Sequence, residues 1–176
     1  MGAKMLKAYF AGKIAKNDWR HALVPRLRNH AWGDGDLDCG KFNYVGPFFV
    51  SCDHGCYHSP ESHGAYSDGC FDDGHNKPQT WKHVVDSCLH GVSSCDIVFA
   101  YIESLECVGT FTEIGYAVAK GIPVVMCVAC GLDPRELRFP AFMPGVELHI
   151  EVTRSHLKKI FKQALPKYSA RSRRRP

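Results

Sequence analysis

Two runs of this chain leave little freedom in how it folds: "DIVFAYI" (96–102) and "IPVVMCV" (122–128). Neither alternates polar with apolar residues past its first positions, so neither suits a strand with one wet face. Each reads as a strand covered on both sides. Between them "TFTEIGYAVAK" (110–120) reads as a helix, with Gly121 as its stop. A strand, a helix and a second strand in that order form a parallel unit with a right-handed crossover.

The flanks extend the same pattern. "LKAYFAG" (6–12) is an apolar run ended by Gly12, and "NDWRHALVPRL" follows with an Asn or Asp cap and Leu23, Val24 and Leu27 near helical spacing. "AWGDGDLDCG" (31–40) reads as loop, and "KFNYVGPFFVS" (41–51) as a second strand interrupted at Gly46-Pro47. Pro78 opens a helix with an apolar face of Trp81, Val84, Val85, Cys88 and Val92. "DPRELRF" adds a helical turn, "GVELHIEV" a further strand and "RSHLKKIFKQAL" a closing helix. The expected architecture is α/β: a doubly wound, mostly parallel five-stranded sheet with a long insert after the second strand. With 176 residues, one domain over 1–166 and a basic disordered tail over 167–176 are expected.

The formal charge of +4 belongs to that end of the chain. Nine Lys or Arg and no acid lie from Arg154 to Pro176, so the remaining thirteen cations face all eighteen acids, a net of −5. The tail therefore suggests at most a weak nucleic-acid contact, not a nucleic-acid-binding domain. No run of about 20 apolar residues is present and the N-terminal apolar run is short and contains a lysine, so the expectation is a cytoplasmic protein with no membrane contact. Nine cysteines without a secretory signal imply free thiols or metal ligands. Cys88, Cys95, Cys107, Cys127 and Cys130 sit in or beside apolar runs as small core residues.

In such sheets ligands bind beyond the carboxyl ends of the strands, which draws attention to Glu103, Glu106, Gly109 and Glu113. Two readings of Glu113 stand. Thr110 and Glu113 fit a capping box, each satisfying backbone donors at a helix start. Alternatively the helix dipole keeps a first-turn carboxylate ionised, Gly109 lets a ligand approach the backbone, and the carboxylate attacks an anomeric carbon.

"AYFAG", "CDIVFAYIES" leading into "GTFTEIGYA", and "GIPVV" together resemble the nucleoside 2-deoxyribosyltransferase superfamily, which includes the 2'-deoxynucleoside 5'-phosphate N-hydrolases. The resemblance implies a flavodoxin-like, Rossmann-like parallel sheet, a homodimer or larger oligomer, and cleavage of the N-glycosidic bond of a small-molecule nucleoside or nucleotide. It makes Glu113 the nucleophile and Tyr9 the tyrosine that orients it. Two departures accompany it. The register of the family's helical Asp falls on Cys88, leaving Asp86 as the nearest carboxylate and a third catalytic candidate. Cys107 stands where the transferases have Asp and the nucleotide hydrolases Ser.

Further candidates surround this core. Gly12, Lys13, Lys16, Asn17 and Arg20 form a cationic loop suited to a phosphate. Glu106, Gly109 and Thr110 line the helix start. In the insert, Asp53, His54 and His58 are expected over the pocket, where Asp53 or His54 contacts the base or protonates its leaving nitrogen. Cys52, Cys56, Cys70 and His75, with His63 nearby, could hold zinc, but no second paired motif accompanies them, so no metal and no cofactor are expected. Two other functions stay open: a non-catalytic nucleotide-sensing module, and a lysine-decarboxylase-like phosphoribohydrolase, whose glycine-rich signature "CVGTFTEIG" resembles without the leading double glycine.

Overall fold

The computed structural model describes residues 5–14, 18–29, 35–48 and 81–172. Six strands form one sheet: β1 (Lys7–Gly12), β2 (Leu37–Asp38), β3 (Asn43–Tyr44), β4 (Ile97–Ile102), β5 (Val124–Ala129) and β6 (Val146–Val152). Their spatial order is β2-β3-β1-β4-β5-β6. All neighbours run parallel except β2 and β3, which form an antiparallel pair.

The sixth strand is a correction to the five expected. β2 arises from "LD", inside the stretch read as loop, where Leu37 pairs with Tyr44 and is buried in the core. Among the described residues the second strand expected at 41–51 covers Asn43–Tyr44 alone, and Pro47 has no amide with which to continue the ladder to β1.

Among the described residues five helices flank the sheet: α1 (Arg20–Leu23), α2 (Trp81–Ser94), α3 (Val108–Ala119), α4 (Arg138–Ala141) and α5 (Arg154–Ser172). The helix expected in "NDWRHALVPRL" shrinks to four residues, followed by a 3-10 turn over Pro25–Asn29, because Pro25 cannot continue it. α5 runs through Ser172 with Tyr168 buried, so ordered chain continues past the boundary expected at 166.

Alternation along β1 divides the core. Phe10 points to one face, stacking with Trp19 and Phe42 and meeting Phe99 and Phe161, under α5. Tyr9 and Ala11 point to the other, with Val92, Val98, Ala100, Ile114 and Ala117, under α2 and α3. Val85, expected on the apolar face of α2, is instead exposed. Because the chain leaves β1 toward β3 and returns to β4 on its other side, the order of strands reverses at β1. Crevices open at the carboxyl ends of strands at such points.

Among the described residues, no helix is long and apolar enough to cross a membrane. Cys95, Cys107 and Cys127 are buried free thiols as read from the sequence, whereas Cys130 is exposed.

Candidate active site

Tyr9 lies in the middle of β1 with its side chain fully enclosed. Its hydroxyl donates a 2.5 Å hydrogen bond to Oε1 of Glu113 on α3. Strand and helix are 104 residues apart in sequence at this contact. The capping-box reading of Glu113 is overturned by where the helix starts. α3 begins at Val108 with Cys107 at the N-cap, so Glu113 is its sixth residue and beyond reach of the cap. For the same reason the helix dipole does not hold it ionised, since that influence fades after the first turn. Burial pushes the Glu113 carboxyl above its ordinary value; the Tyr9 hydrogen bond, the Arg20 charge and the Cys88 thiol oppose that rise without cancelling it. Burial, then the nearby Glu113 charge, drives the Tyr9 hydroxyl well above the usual tyrosine range, so it stays protonated as a donor.

The third member of the cluster is Cys88. It reaches from α2 to both Tyr9 and Glu113, and burial first, with the Glu113 charge adding to it, pushes its thiol up to about 11. This is a neutral group where the resembling family carries a carboxylate. Asp86 does not replace it: two residues earlier on α2, it is exposed and on a different side of the helix from Cys88, because two residues rotate a helix by roughly 200°. Its side chain therefore lies outside the cluster of Tyr9, Cys88 and Glu113.

Gly91 brings α2 close enough for Cys88 to reach. A Cβ there would stand 2.6 Å from the Val45 carbonyl and 2.9 Å from the Tyr9 ring. The sequence signal was present, since a glycine inside a helix costs about 1 kcal/mol and calls for a packing reason.

Arg20, expected in a phosphate-binding loop, is fully enclosed. Along β1 the carbonyls of Leu6 and Ala8 accept from Asn43 and Val45, and the Phe10 amide donates to Gly46. The next residue toward β3 is Pro47, with no amide to give. Arg20 completes the ladder instead: Nε donates to the Phe10 carbonyl at 2.8 Å and Nη2 to the Gly12 carbonyl at 2.6 Å. Asp18, equally enclosed, accepts from Nη1 at 2.6 Å and neutralises it. The role of this pair was missed in the sequence, although a broken neighbouring strand and an acid two residues before an arginine were both visible.

Gly12 has its own packing reason, because a Cβ would lie 3.0 Å from both Trp19 Nε1 and the Tyr101 carbonyl. Lys13 and Glu106 face each other at 3.9 Å, both exposed, across the carboxyl ends of β1 and β4. Gly109 is exposed, and a Cβ added there would meet nothing within 4 Å. Thr110 is buried, with its side chain at the Cys107 thiol. Asn17, Asp53, His54 and the proposed zinc ligands Cys52, Cys56, Cys70 and His75 lie outside the described residues, as do Lys16, His58 and His63. Among the described residues, no three His, Cys, Asp or Glu side chains are grouped to hold a metal.

Over residues 8–137, a stretch containing β1, the Tyr9–Glu113 contact and Cys88, the sequence matches the family model for nucleoside 2-deoxyribosyltransferase. The chain belongs to this family. Among solved structures, it is similar to the Clostridium botulinum CMP N-glycosidase BcmB, at 13% identity and a TM-score of 0.49, over 88% of this chain and 98% of that one. It is also similar to a conserved protein from Enterococcus faecalis V583, at 20% identity and a TM-score of 0.43, over 96% and 99%. No curated protein sequence matches it. In this nucleoside 2-deoxyribosyltransferase family member the two positions singled out in the sequence both carry thiols: Cys88 on α2, and Cys107, whose thiol donates to the Ser104 carbonyl at 2.9 Å inside the turn that starts α3.

Proposed function

We propose that this protein cleaves the N-glycosidic bond of a nucleoside or nucleotide, ribosyl or deoxyribosyl, with Glu113 as nucleophile. The observation that carries the reading is the 2.5 Å hydrogen bond from the buried Tyr9 hydroxyl to Glu113. A carboxylate stripped of most of its water and held by one oriented donor has a defined direction of attack and little hydration to shed. A structural role explains it less well, because a buried carboxylate whose ionisation the fold opposes weakens the core.

In the first step a carboxylate oxygen of Glu113 bonds to C1' while the C1'–N bond breaks through an oxocarbenium-like transition state. The bond's electron pair leaves with the base, which takes up a proton; Asp53 and His54 are the proposed donors. In the second step water, or a second base, attacks C1', gives its proton to the group that lost one in the first step, and frees the carboxylate as its bond to C1' breaks. Water gives hydrolysis and a base gives exchange. The Tyr9 hydroxyl holds its proton throughout and steadies the carboxylate as it departs. Gly109 supports the placement of the ligand, since the fold leaves open space beside it, and Lys13 supplies positive charge at the same rim. We take the substrate to be a small molecule met in the cytoplasm, and the working form to be a homo-oligomer.

The test is free-base release from a panel of nucleosides and 5'-phosphates, followed by chromatography. Release that disappears in Glu113→Ala supports the proposal; release undiminished in that variant ends it. A second reading, a nucleotide-binding sensor without turnover, is favoured by Cys88 standing in the place of an Asp. Tight nucleotide binding by pure protein with no base release from any member of the panel would select it.

A further inference from the structure

Groups on different elements act on Glu113: Tyr9 from β1, in hydrogen-bond contact, Cys88 from α2 and Arg20 from the start of α1, while Tyr44 on β3 and Cys107 before α3 feel its charge. Only Arg20 among them carries a charge, and that charge is paired with Asp18. The remaining groups are phenols and thiols. Among the described groups that act on Glu113, none is a second carboxylate.

We propose that Cys88 is a positioning residue for Glu113: its uncharged thiol approaches the carboxylate from α2 while the Tyr9 hydroxyl approaches from β1, fixing its orientation and keeping this wall of the pocket at a single negative charge. The inference rests on Glu113 as the nucleophile and deepens that reading.

Three observations support it. Gly91, one turn beyond Cys88, has no room for a side chain against Val45 and the Tyr9 ring, so α2 is drawn in as far as the backbone allows. Cys88 is thereby brought into reach of Tyr9 and Glu113 together. Burial keeps the thiol protonated, at about 11, so it serves as a donor and not as a base or a reactive thiolate. An acid at this position would behave differently. Two carboxylates in contact cannot both ionise at ordinary cost, so their protons come off in two coupled steps. With cysteine, Glu113 ionises in one.

Three substitutions separate these roles. Cys88→Ser keeps a small neutral donor, Cys88→Ala removes it, and Cys88→Asp adds the second carboxylate. The readouts are an isotope-edited NMR titration of the Glu113 carboxyl, assigned by its loss in Glu113→Gln, and the pH profile of kcat and KM for base release. In Cys88→Ser the titration stays with that of the unmodified protein and kcat stays within about twofold. In Cys88→Ala the titration moves up, and below the acid limb kcat falls by about threefold to tenfold with KM little changed. In Cys88→Asp the single step becomes two. Cys88→Ala and Cys88→Asp that both titrate like the unmodified protein would overturn the proposal, as would a Cys88→Ser variant that behaves like Cys88→Ala. If no substrate releases base, the catalytic reading fails alone, and the titration still decides the role of Cys88.

Discussion

Replacing Tyr9 with phenylalanine removes one oxygen from a fully enclosed ring and leaves the ring to fill the same space. The lost interaction is a hydrogen bond to a charged group, 2.5 Å long and shielded from water. Such bonds contribute about 1.5–3 kcal/mol. If that contribution is expressed at the transition state, kcat/KM falls by about tenfold to a hundredfold. The loss depends on pH in a defined direction. The Tyr9 hydrogen bond is one of the influences holding the Glu113 carboxyl down against burial, so its removal raises that group further and moves the acid limb of kcat/KM upward. Stability follows with the opposite sense. A carboxyl whose folded pKa exceeds its unfolded one binds its proton more tightly when folded, so stability is highest below the ordinary carboxylate range and falls as pH rises through the window between the two. Tyr9→Phe widens that window upward. Its thermal midpoint should lie near that of the unmodified protein at low pH and clearly below it at neutral pH. Base release and thermal melts across the acid and neutral range test both limbs. A variant with unchanged kcat/KM and an unmoved acid limb would refute the reasoning.

Glu113→Gln should cost about a thousandfold or more in base release, yet raise the thermal midpoint at neutral pH, because it removes a charge whose ionisation burial opposes. Arg20→Met should lower unfolding free energy by about 3–5 kcal/mol in denaturant titration, since Asp18 loses its partner and the Phe10 and Gly12 carbonyls lose their donor. Gly91→Ala, normally favourable in a helix, should instead destabilise by about 1–3 kcal/mol and depress kcat, because the added carbon would sit 2.6 Å from a backbone oxygen. Asp86→Asn should change base release by less than about twofold, consistent with an exposed side chain outside the cluster.

Legibility in the sequence followed how strongly local chemistry dictated structure. β4, β5 and the start of α3 were readable because unbroken apolar runs of that length have few other uses, and they were found within a residue or two. The carboxyl-end rule drew attention to Glu113, and the family resemblance paired it with Tyr9, the residue it contacts in the structure. What failed depended on partners distant in sequence. β2 is two residues long and exists only because Tyr44 lies opposite Leu37. Arg20 looked like a surface cation because its acceptors are main-chain carbonyls, which carry no sequence signature. Asp86 was attractive as a residue type but wrong in helical phase, whereas Cys88 had the phase and the less expected chemistry. Glu113 itself was assigned to a first turn that begins two residues earlier than Thr110, and that small offset exchanges a dipole-stabilised carboxylate for a desolvated one.

The guanidinium that finishes β1 also limits how this rim can be remodelled. An adjoining strand tolerates sliding by two residues, because its amides recur at that interval, whereas a single side chain anchored by Asp18 has a fixed length and one fitting position. Positions 13–17 must therefore leave from Gly12 and return to the same anchor whatever their composition. Grafting this loop between relatives would succeed only if Asp18 and Arg20 travel with it as one piece, with a proline still at the point where the neighbouring strand departs.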